Sequence, residues 1–342
     1  MFYFTKMKDN NSGRNVSVDF FRFFFITIIC LWHFSNIIRI FYHGYLGVEF
    51  FFILSGMFLY HTYCSHPELN PLDYSLKRFT KFFPKYIVCL LPIFFIVNYK
   101  WIKEINIESV TDIVLRFISE GLMLQGFGLF PSGSNYPMWF LSVLIISGGI
   151  IFSFLKVDRR KALGIFFPLF VILAYMYIFS DGKRCIERWG YPNWFYIPFL
   201  RGMADICLGV MLMAVISYKR TFLEKNTKSL DIISCLSLFL LILITVIEPS
   251  HDQYSLLFIP FVLTSCFLKK SHFNRIFTHS IWIKLGNISY EMFLVHAFII
   301  KIYSHTIMPM ISSATLIIIV YLTLVITVAY IINIIFAAVS SK

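Results

Sequence analysis

Ten apolar runs, each close to the length of a helix that crosses a bilayer, divide this chain almost from end to end. One water-soluble core cannot accommodate so many such runs, and 58% of the 342 residues are hydrophobic whereas 14% are charged. The expected fold class is therefore an all-α polytopic membrane protein with about ten transmembrane helices. The predicted spans are residues 18–36, 45–64, 84–99, 138–155, 163–180, 197–217, 230–248, 253–268, 281–303 and 314–336.

The positions of the basic residues predict the topology. A net charge of +12 would suggest a nucleic-acid partner in a soluble chain, but here the charges lie between apolar runs, so no nucleic acid is expected. With both termini on one side, twenty Lys and Arg residues fall in the connections on that side and seven in those opposite. The positive-inside rule then predicts that both termini are cytoplasmic, with residues 1–17 as a cytoplasmic N-terminal segment. We expect no removed signal peptide, because the first run lacks a small-residue cleavage site.

Two connections on the predicted outer side are longer than turns. Residues 100–137 contain an amphipathic stretch near 108–124 and then a run rich in Gly, Pro and Ser, which predicts an outer loop with an interfacial helix. The second, residues 181–193, has aromatic side chains in and around it, among them Trp189. These suit either an aromatic belt at the membrane surface or contact with carbohydrate. No soluble domain is recognisable, so residues 1–342 are expected to form a single membrane domain.

The first span carries two ionisable residues, Arg22 and His33. They are eleven positions apart, about three helical turns, so they share one face and lie about 16 Å apart along the axis. A snorkelling Arg or an interfacial His would explain either one alone. Together on one face they favour a central cavity, because ionisable groups inside a membrane usually line a cavity or a pathway.

Glu49 lies near the start of the second span, at a depth similar to that of His33. The two spans are joined by a short connection, so they are expected to be antiparallel neighbours. A carboxylate beside an imidazole fixes its tautomer and raises its basicity, as a general base requires. The alternatives are a buried glutamate satisfied by a single hydrogen bond and a protonated glutamate. We expect His33 and Glu49 to form a catalytic pair.

Basic residues precede the third span, where Arg78 and Lys81 lie three positions apart on one helical face. Such a cluster suits phosphate groups, the Arg by bidentate hydrogen bonds and the Lys as a point charge. The positive-inside rule alone would also produce it. Because Arg22 can point into the same region, we favour an anion-binding vestibule.

Other spans contain further polar groups. Arg201 and Asp205 form an i,i+4 pair at the start of the sixth span, which is either a self-neutralising structural pair or a source of a hydrogen-bond donor aimed at a substrate near His33. Glu291 and His296 lie in the ninth span, where either could be a packing polar group. The seven cysteines show no CxxC spacing, so no metal site or disulfide framework is expected.

Five short motifs occur in order along the chain. They are Asp19-Phe20-Phe21-Arg22 followed by His33, GVEFFFILSG at 47–56, RFTK at 78–81, MWFLS at 138–142, and LGNISY at 285–290 followed by His296. Together they resemble the membrane-bound acyltransferase-3 proteins, bacterial polytopic enzymes that acylate sugars and related acceptors. Lys81 stands where the family has a second Arg, and Glu291 departs from its usual small or neutral residue.

The resemblance implies a ten-helix enzyme of the bacterial plasma membrane that takes an acetyl or other short acyl group from acyl-CoA at the cytoplasmic face. The acceptor would be a hydroxyl of a cell-surface polysaccharide or its lipid-linked precursor. His33 would act as base or as acyl acceptor with support from Glu49, and separate glycan-synthesis proteins are candidate partners. Residues implied to bind the CoA phosphates are Arg22, Arg78 and Lys81, and those implied to bind the acceptor are Arg201, Asp205, Trp139 and His296.

A different class of protein would also place charges inside the membrane. A transporter or flippase for a glycan or a small anion could use them as a substrate path. Transport does not require cleavage of a thioester, so release of the CoA thiol from acetyl-CoA separates the two hypotheses.

Overall fold

The computed structural model describes residues 14–103, 107–128, 133–180, 182, 185–190, 194–247 and 251–340. Within these ranges the chain forms fourteen α-helices, joined in places by 3₁₀ turns and by one π-helical turn, and no β-strand. The helices are α1 (Val16–His33), α2 (Leu46–Ser65), α3 (Pro71–Lys103), α4 (Ile107–Gly121), α5 (Trp139–Lys161), α6 (Phe167–Ile178), α7 (Ile197–Tyr218), α8 (Arg220–Lys225), α9 (Thr227–Val246), α10 (Ser255–Cys266), α11 (His272–Ile276), α12 (Ile281–Asn287), α13 (Ser289–Thr306) and α14 (Ala314–Ser340).

Seven helical segments among the described residues are long and apolar enough to cross a membrane, so the all-α, multi-pass prediction is confirmed. An eighth is counted if α12 and α13, which are bent by 54°, form one span. The number of spans therefore differs from the predicted ten. The candidates are Val16–His33, Leu46–Ser65, Pro71–Tyr99, Tyr136–Ile178, Ile197–Tyr218, Thr227–Val246 and Ala314–Val339.

Two features account for the difference. The predicted spans 138–155 and 163–180 lie in one continuous helical segment of 43 residues, Tyr136–Ile178. Within it, Asp158 has non-helical dihedral angles, φ −155° and ψ 96°, so the segment is two helices joined at a kink. The predicted span 253–268 contains α10, which has only 12 residues and is shorter than a helix needs to cross the hydrocarbon core.

The helix α3 begins well before the apolar run from which it was predicted. It starts at Pro71 and continues through the basic residues into the span, with Pro84 and Pro92 inside it. The amphipathic stretch after α3 is helical, as α4, and exposes apolar side chains such as Leu115 and Ile118. The basic cluster of α3 is therefore carried on the same continuous helix as the membrane-crossing part.

Close backbone contact joins α2 to α7. A Cβ at Gly56 would lie 2.0 Å from the carbonyl oxygen of Ile206, and one at Gly209 would lie 1.8 Å from that of Ile53. Only glycine allows two helices to approach this closely, which is the usual role of small residues between membrane helices. This contact brings the N-terminal ends of α2 and α7, and the charged residues there, side by side.

A second contact made possible by glycine joins α1 to α12. A Cβ at Gly286 would lie 2.6 Å from the Cβ of Asp19. Around these contacts, phenylalanine rings fill the core, for example Phe25 stacked on Phe50 with centroids 4.2 Å apart. The first and last of the five motifs are thus packed against each other at the N-terminal end of α1.

Candidate active site

Two histidines meet at the C-terminal end of α1. The rings of His33 and His296 are stacked, with centroids 5.1 Å apart and planes 26° apart, and the ring of Tyr136 lies 4.9 Å from that of His33. The Nδ1 atom of His296 lies 2.8 Å from the carbonyl oxygen of Phe293, so Nδ1 carries the proton and Nε2 is an acceptor. His33 has no hydrogen-bond partner in the described part of the chain and is partly exposed. Its imidazole is free to meet a substrate.

His33 lines a small cavity with a volume of ≈ 30 Å³. Trp139 and Arg201, which were predicted to bind the acceptor, also line it, whereas Asp205 does not. The loop between α6 and α7 contributes Glu187 and Trp189 to the same wall. Glu187 was not predicted as a site residue. The sequence marks it only as a carboxylate beside the aromatic residues of a surface loop.

Glu49 does not pair with His33 as predicted. Its Oε1 lies 3.0 Å from Nε of Arg201, and the two side chains are 0% and 2% exposed. Asp205 accepts a hydrogen bond from the hydroxyl of Tyr175, while its negative charge still acts on Arg201. The reason is the close contact of α2 with α7, which places the Glu49 carboxylate beside the Arg201 guanidinium and thereby neutralises it.

Arg201 also connects two walls of the cavity. Its Nη1 donates a hydrogen bond of 3.0 Å to the carbonyl oxygen of Ile186, and its guanidinium lies over the ring of Trp139, 5.2 Å from the centroid. Burial raises the pKa of the nearby Glu187 carboxyl, an effect that the positive charge of Arg201 partly opposes. Arg201 therefore organises this end of the site.

At the other end of α1, the guanidinium of Arg22 is buried. It donates hydrogen bonds to Asp19, at 2.9 Å, and to the hydroxyl of Ser289, at 3.0 Å. Asp19 also binds Arg14, which reaches the side-chain oxygen of Asn287 at 2.7 Å. These contacts explain why the first and last motifs contain an aspartate, an arginine and a serine.

The three cations predicted to form a vestibule are close to one another. The charges of Arg78 and Arg22 both act on Lys81, and the Arg78 guanidinium lies over the ring of Tyr74, 4.9 Å from the centroid. The structure therefore places a positively charged cluster at the Arg22 end of α1.

An apolar cavity lies between the two ends. It has a volume of only ≈ 10 Å³ and is lined by Ile26, Ile29, Val48, Phe51, Phe140 and Phe293. Four of these, Ile29, Val48, Phe140 and Phe293, also line the cavity that contains His33. Arg22, Ile26, Ile29 and His33 follow the spacing of one helical face. The row runs from the cationic cluster, past aromatic side chains, to the histidine pair.

Glu291 has a local partner. Its buried carboxylate forms an ion pair with Lys85 and accepts a hydrogen bond of 2.8 Å from the side-chain amide of Asn333. Lys85 lies within α3. Together these contacts tie α3, α13 and α14 into one buried polar cluster.

The helices and their buried polar groups define a multi-pass membrane protein with a polar site at each end of one helix. A family whose profile is described as "Acyltransferase domain" matches residues 15–334. The chain therefore belongs to the acyltransferase-3 family and is an acyltransferase, which confirms the resemblance seen in its motifs. Comparisons with curated proteins and with solved structures found no match.

Proposed function

We propose that the protein transfers an acetyl or other short acyl group from acyl-CoA, bound at the cytoplasmic face of a bacterial plasma membrane, to a hydroxyl group. The acceptor in this proposal is a cell-surface polysaccharide or its lipid-linked precursor, and residues 1–342 act as one domain, alone or with separate glycan-synthesis partners. The observation that carries the proposal is the row along α1, with the cationic cluster at one end and His33 in a cavity at the other.

The cationic end suits the donor. Arg78 and Lys81 offer the charge-assisted hydrogen bonds that the phosphates of CoA would accept, and Arg22, which is held by Asp19 and Ser289, adds positive charge behind them. Eleven residues of helix separate Arg22 from His33 by about 16 Å. The dozen bonds of an extended pantetheine arm span about 14 Å at roughly 1.2 Å per bond. A donor with its phosphates at the cluster would thus bring its thioester near His33.

The apolar stretch between the ends suits the arm of the donor. Its cavity is narrow and bordered by the rings of Phe51, Phe140 and Phe293, so these rings would have to turn aside for the arm to pass. An apolar lining also excludes water, which protects a thioester from hydrolysis. The two cavities would then form one donor path.

At the histidine end, two routes use the same groups. In the first, His33 accepts the proton of the acceptor hydroxyl while that oxygen attacks the thioester carbonyl. The carbon–sulfur bond then breaks, and the departing thiolate receives the proton from His33. In the second, the imidazole attacks the carbonyl and releases CoA, and the hydroxyl takes the acyl group from the acyl-imidazole. His296 would hold the ring of His33 in place by stacking in either route.

The other predicted site residues take revised roles. In this proposal Trp139 and Arg201 contact the acceptor, because both line the cavity with His33. Glu49 and Asp205 act through neighbours, the first by neutralising Arg201 and the second through Tyr175. Both carboxylates thus position the site and neither touches the acceptor.

Ten crossings, with both termini cytoplasmic, remain our proposed topology. Dividing the segment Tyr136–Ile178 at the kink of Asp158, counting the bent pair α12 and α13 as one span, and adding α10 with the preceding 3₁₀ turn Asp252–Tyr254 brings the seven candidates to ten. The last of these is a short span and requires local thinning of the bilayer. An even number agrees with the excess of basic residues on the side of both termini.

The test uses inside-out membrane vesicles that contain the protein, supplied with radiolabelled acetyl-CoA. We expect release of free CoA thiol together with transfer of label to alkali-labile esters on envelope polysaccharide. His33→Ala should lower both by about 10²- to 10⁴-fold, the usual contribution of a general base. As a matched control, His66→Ala removes an imidazole that is 59% exposed and paired with Glu68, and it should leave transfer unchanged.

Two results would contradict the proposal. Full transfer by His33→Ala would remove this residue from the mechanism. A wild-type protein that moves a glycan across the vesicle membrane without releasing thiol would be a transporter or flippase instead.

A further inference from the structure

The carboxylate of Glu187 occupies an unusual position. It lies in the loop between α6 and α7, is half-buried, and lines the cavity that also contains His33. Among the described residues, its one hydrogen-bond donor is the Nε1 atom of Trp189, at a long distance of 3.5 Å. Most of its hydrogen-bonding capacity is therefore available to a molecule in the cavity.

The backbone just before Glu187 is held from both sides. The N–H of Ile186 donates a hydrogen bond of 2.8 Å to Asp252, and Arg201 donates one of 3.0 Å to its carbonyl oxygen. Asp252 is held in turn by the hydroxyl of Tyr45. Because the loop is anchored by Arg201 of α7 and by residues just before α2 and α10, the carboxylate of Glu187 is placed in the cavity by the fold.

Neutralising Arg201 does not by itself account for Glu187. The guanidinium already has Glu49 3.0 Å away, with both side chains almost fully buried. Glu49 and Asp205 already supply negative charge to this one buried cation, so the carboxylate of Glu187 adds further negative charge at the edge of the cavity. A charge kept there at a desolvation cost indicates a ligand that donates a hydrogen bond.

The side chains beside Glu187 are of the kinds that contact a hydroxylated ring. The rings of Trp139 and Trp189 meet edge to face, with centroids 5.4 Å apart and planes at 77°. Such a corner offers apolar faces to the C–H side of a sugar ring, while a nearby carboxylate accepts the hydrogen of a hydroxyl group. A hydrogen bond to a charged acceptor is stronger than one between neutral groups.

We infer that Glu187 binds a hydroxyl group of the sugar acceptor and thereby orients the sugar ring toward His33. The inference rests on the proposed function and names a residue that touches the acceptor but not the donor. It therefore predicts an effect on acceptor acylation that is separate from any effect on acyl-CoA binding.

The experiment compares Glu187→Gln, which keeps the shape and removes the charge, with Glu187→Asp, which keeps the charge on a shorter side chain. Each variant is expressed in the native host after deletion of the wild-type gene for this protein. Envelope vesicles are prepared from these cells, and radiolabelled acetyl-CoA is the probe. The matched control is Glu68→Gln, at a carboxylate that is 73% exposed outside the site. The readouts are label on polysaccharide, the KM for acetyl-CoA, and the thermal unfolding midpoint in detergent.

For Glu187→Gln we expect transfer to polysaccharide to fall about 10- to 100-fold, the effect of losing a hydrogen bond to a charged group. The KM for acetyl-CoA and the unfolding midpoint should match those of Glu68→Gln. Glu187→Asp should restore part of the transfer. A purely structural carboxylate would instead lower the unfolding midpoint and change the KM for acetyl-CoA together with transfer.

Each other result has one meaning. Normal transfer by Glu187→Gln, or a loss matched by the donor KM and the unfolding midpoint, would overturn the role of Glu187 and leave the proposed function standing. A wild-type protein that transfers no label would overturn the proposed function itself.

Discussion

The pairing of Glu49 with Arg201 makes a prediction that separates two roles for Glu49. If its carboxylate neutralises Arg201, replacing either residue alone should lower the free energy of unfolding. If it serves His33 directly, its loss should reduce catalysis and leave stability unchanged. The perturbation is a cycle of three variants, namely Glu49→Leu, Arg201→Met and the two combined.

The expected magnitude follows from burial. Breaking a buried ion pair by removing one partner costs about 3–5 kcal/mol, because the remaining charge is uncompensated. For Glu49→Leu we expect the low end, about 3 kcal/mol, because the charges of Glu187 and Asp205 still act on Arg201. Replacing both partners with apolar side chains of similar size is close to neutral. The two changes should therefore couple by more than about 2 kcal/mol.

The free energy of unfolding is measured by SDS titration in mixed micelles, with label transfer from acetyl-CoA measured on the same preparations. Glu68→Leu, at an exposed carboxylate, is the matched control and should change neither quantity. If the loss of unfolding free energy in the double variant equals the sum of the losses in the two single variants, the ion-pair reasoning is refuted. A Glu49→Leu variant as stable as the wild type, but about 10²-fold slower, would restore the direct catalytic role.

Two further predictions concern packing and a second ion pair. Gly56→Ala should destabilise the protein by about 1–3 kcal/mol through overpacking, because its Cβ would lie 2.0 Å from the carbonyl oxygen of Ile206. The control is Gly164→Ala, whose Cβ would meet no atom within 4 Å. If SDS titration shows the same loss of stability for both variants, the packing argument is wrong. Lys85→Met should cost about 3 kcal/mol by leaving Glu291 without its cation, and adding Glu291→Met should recover most of it. A double variant no more stable than Lys85→Met would contradict the second prediction.

Spacing along a single helix was sufficient to predict part of the site. The positions of Arg22 and His33 already implied one face and two ends, and the basic residues of α3 implied a cluster near Arg22. These inferences succeeded because a helix converts sequence distance directly into geometry. The class of fold was predictable for the same reason, since the length and composition of apolar runs require helices in a membrane.

Contacts between helices were harder to predict. Glu49 and Arg201 are far apart in sequence, and what joins them is the glycine contact of Gly56 with α7, which spacing within one helix does not reveal. Arg201 and Asp205 lie four residues apart, yet tertiary contacts gave each a different partner. Glu187 lies in a loop, where no periodicity relates a residue to the cavity it lines.

The contacts of Arg201 suggest why a carboxylate belongs in the motif of α2. Glu49 neutralises Arg201, and Arg201 binds the carbonyl oxygen of Ile186, the residue just before Glu187. A guanidinium cannot lose its proton, so without a close carboxylate it would be costly to keep at this depth. Glu49 thus acts on the loop indirectly, because it allows the buried Arg201 to hold the loop against the cavity. On this reasoning, Glu49 helps to set the position of Glu187 and the shape of that cavity wall, while the proposed proton transfer at the other wall would be the role of His33.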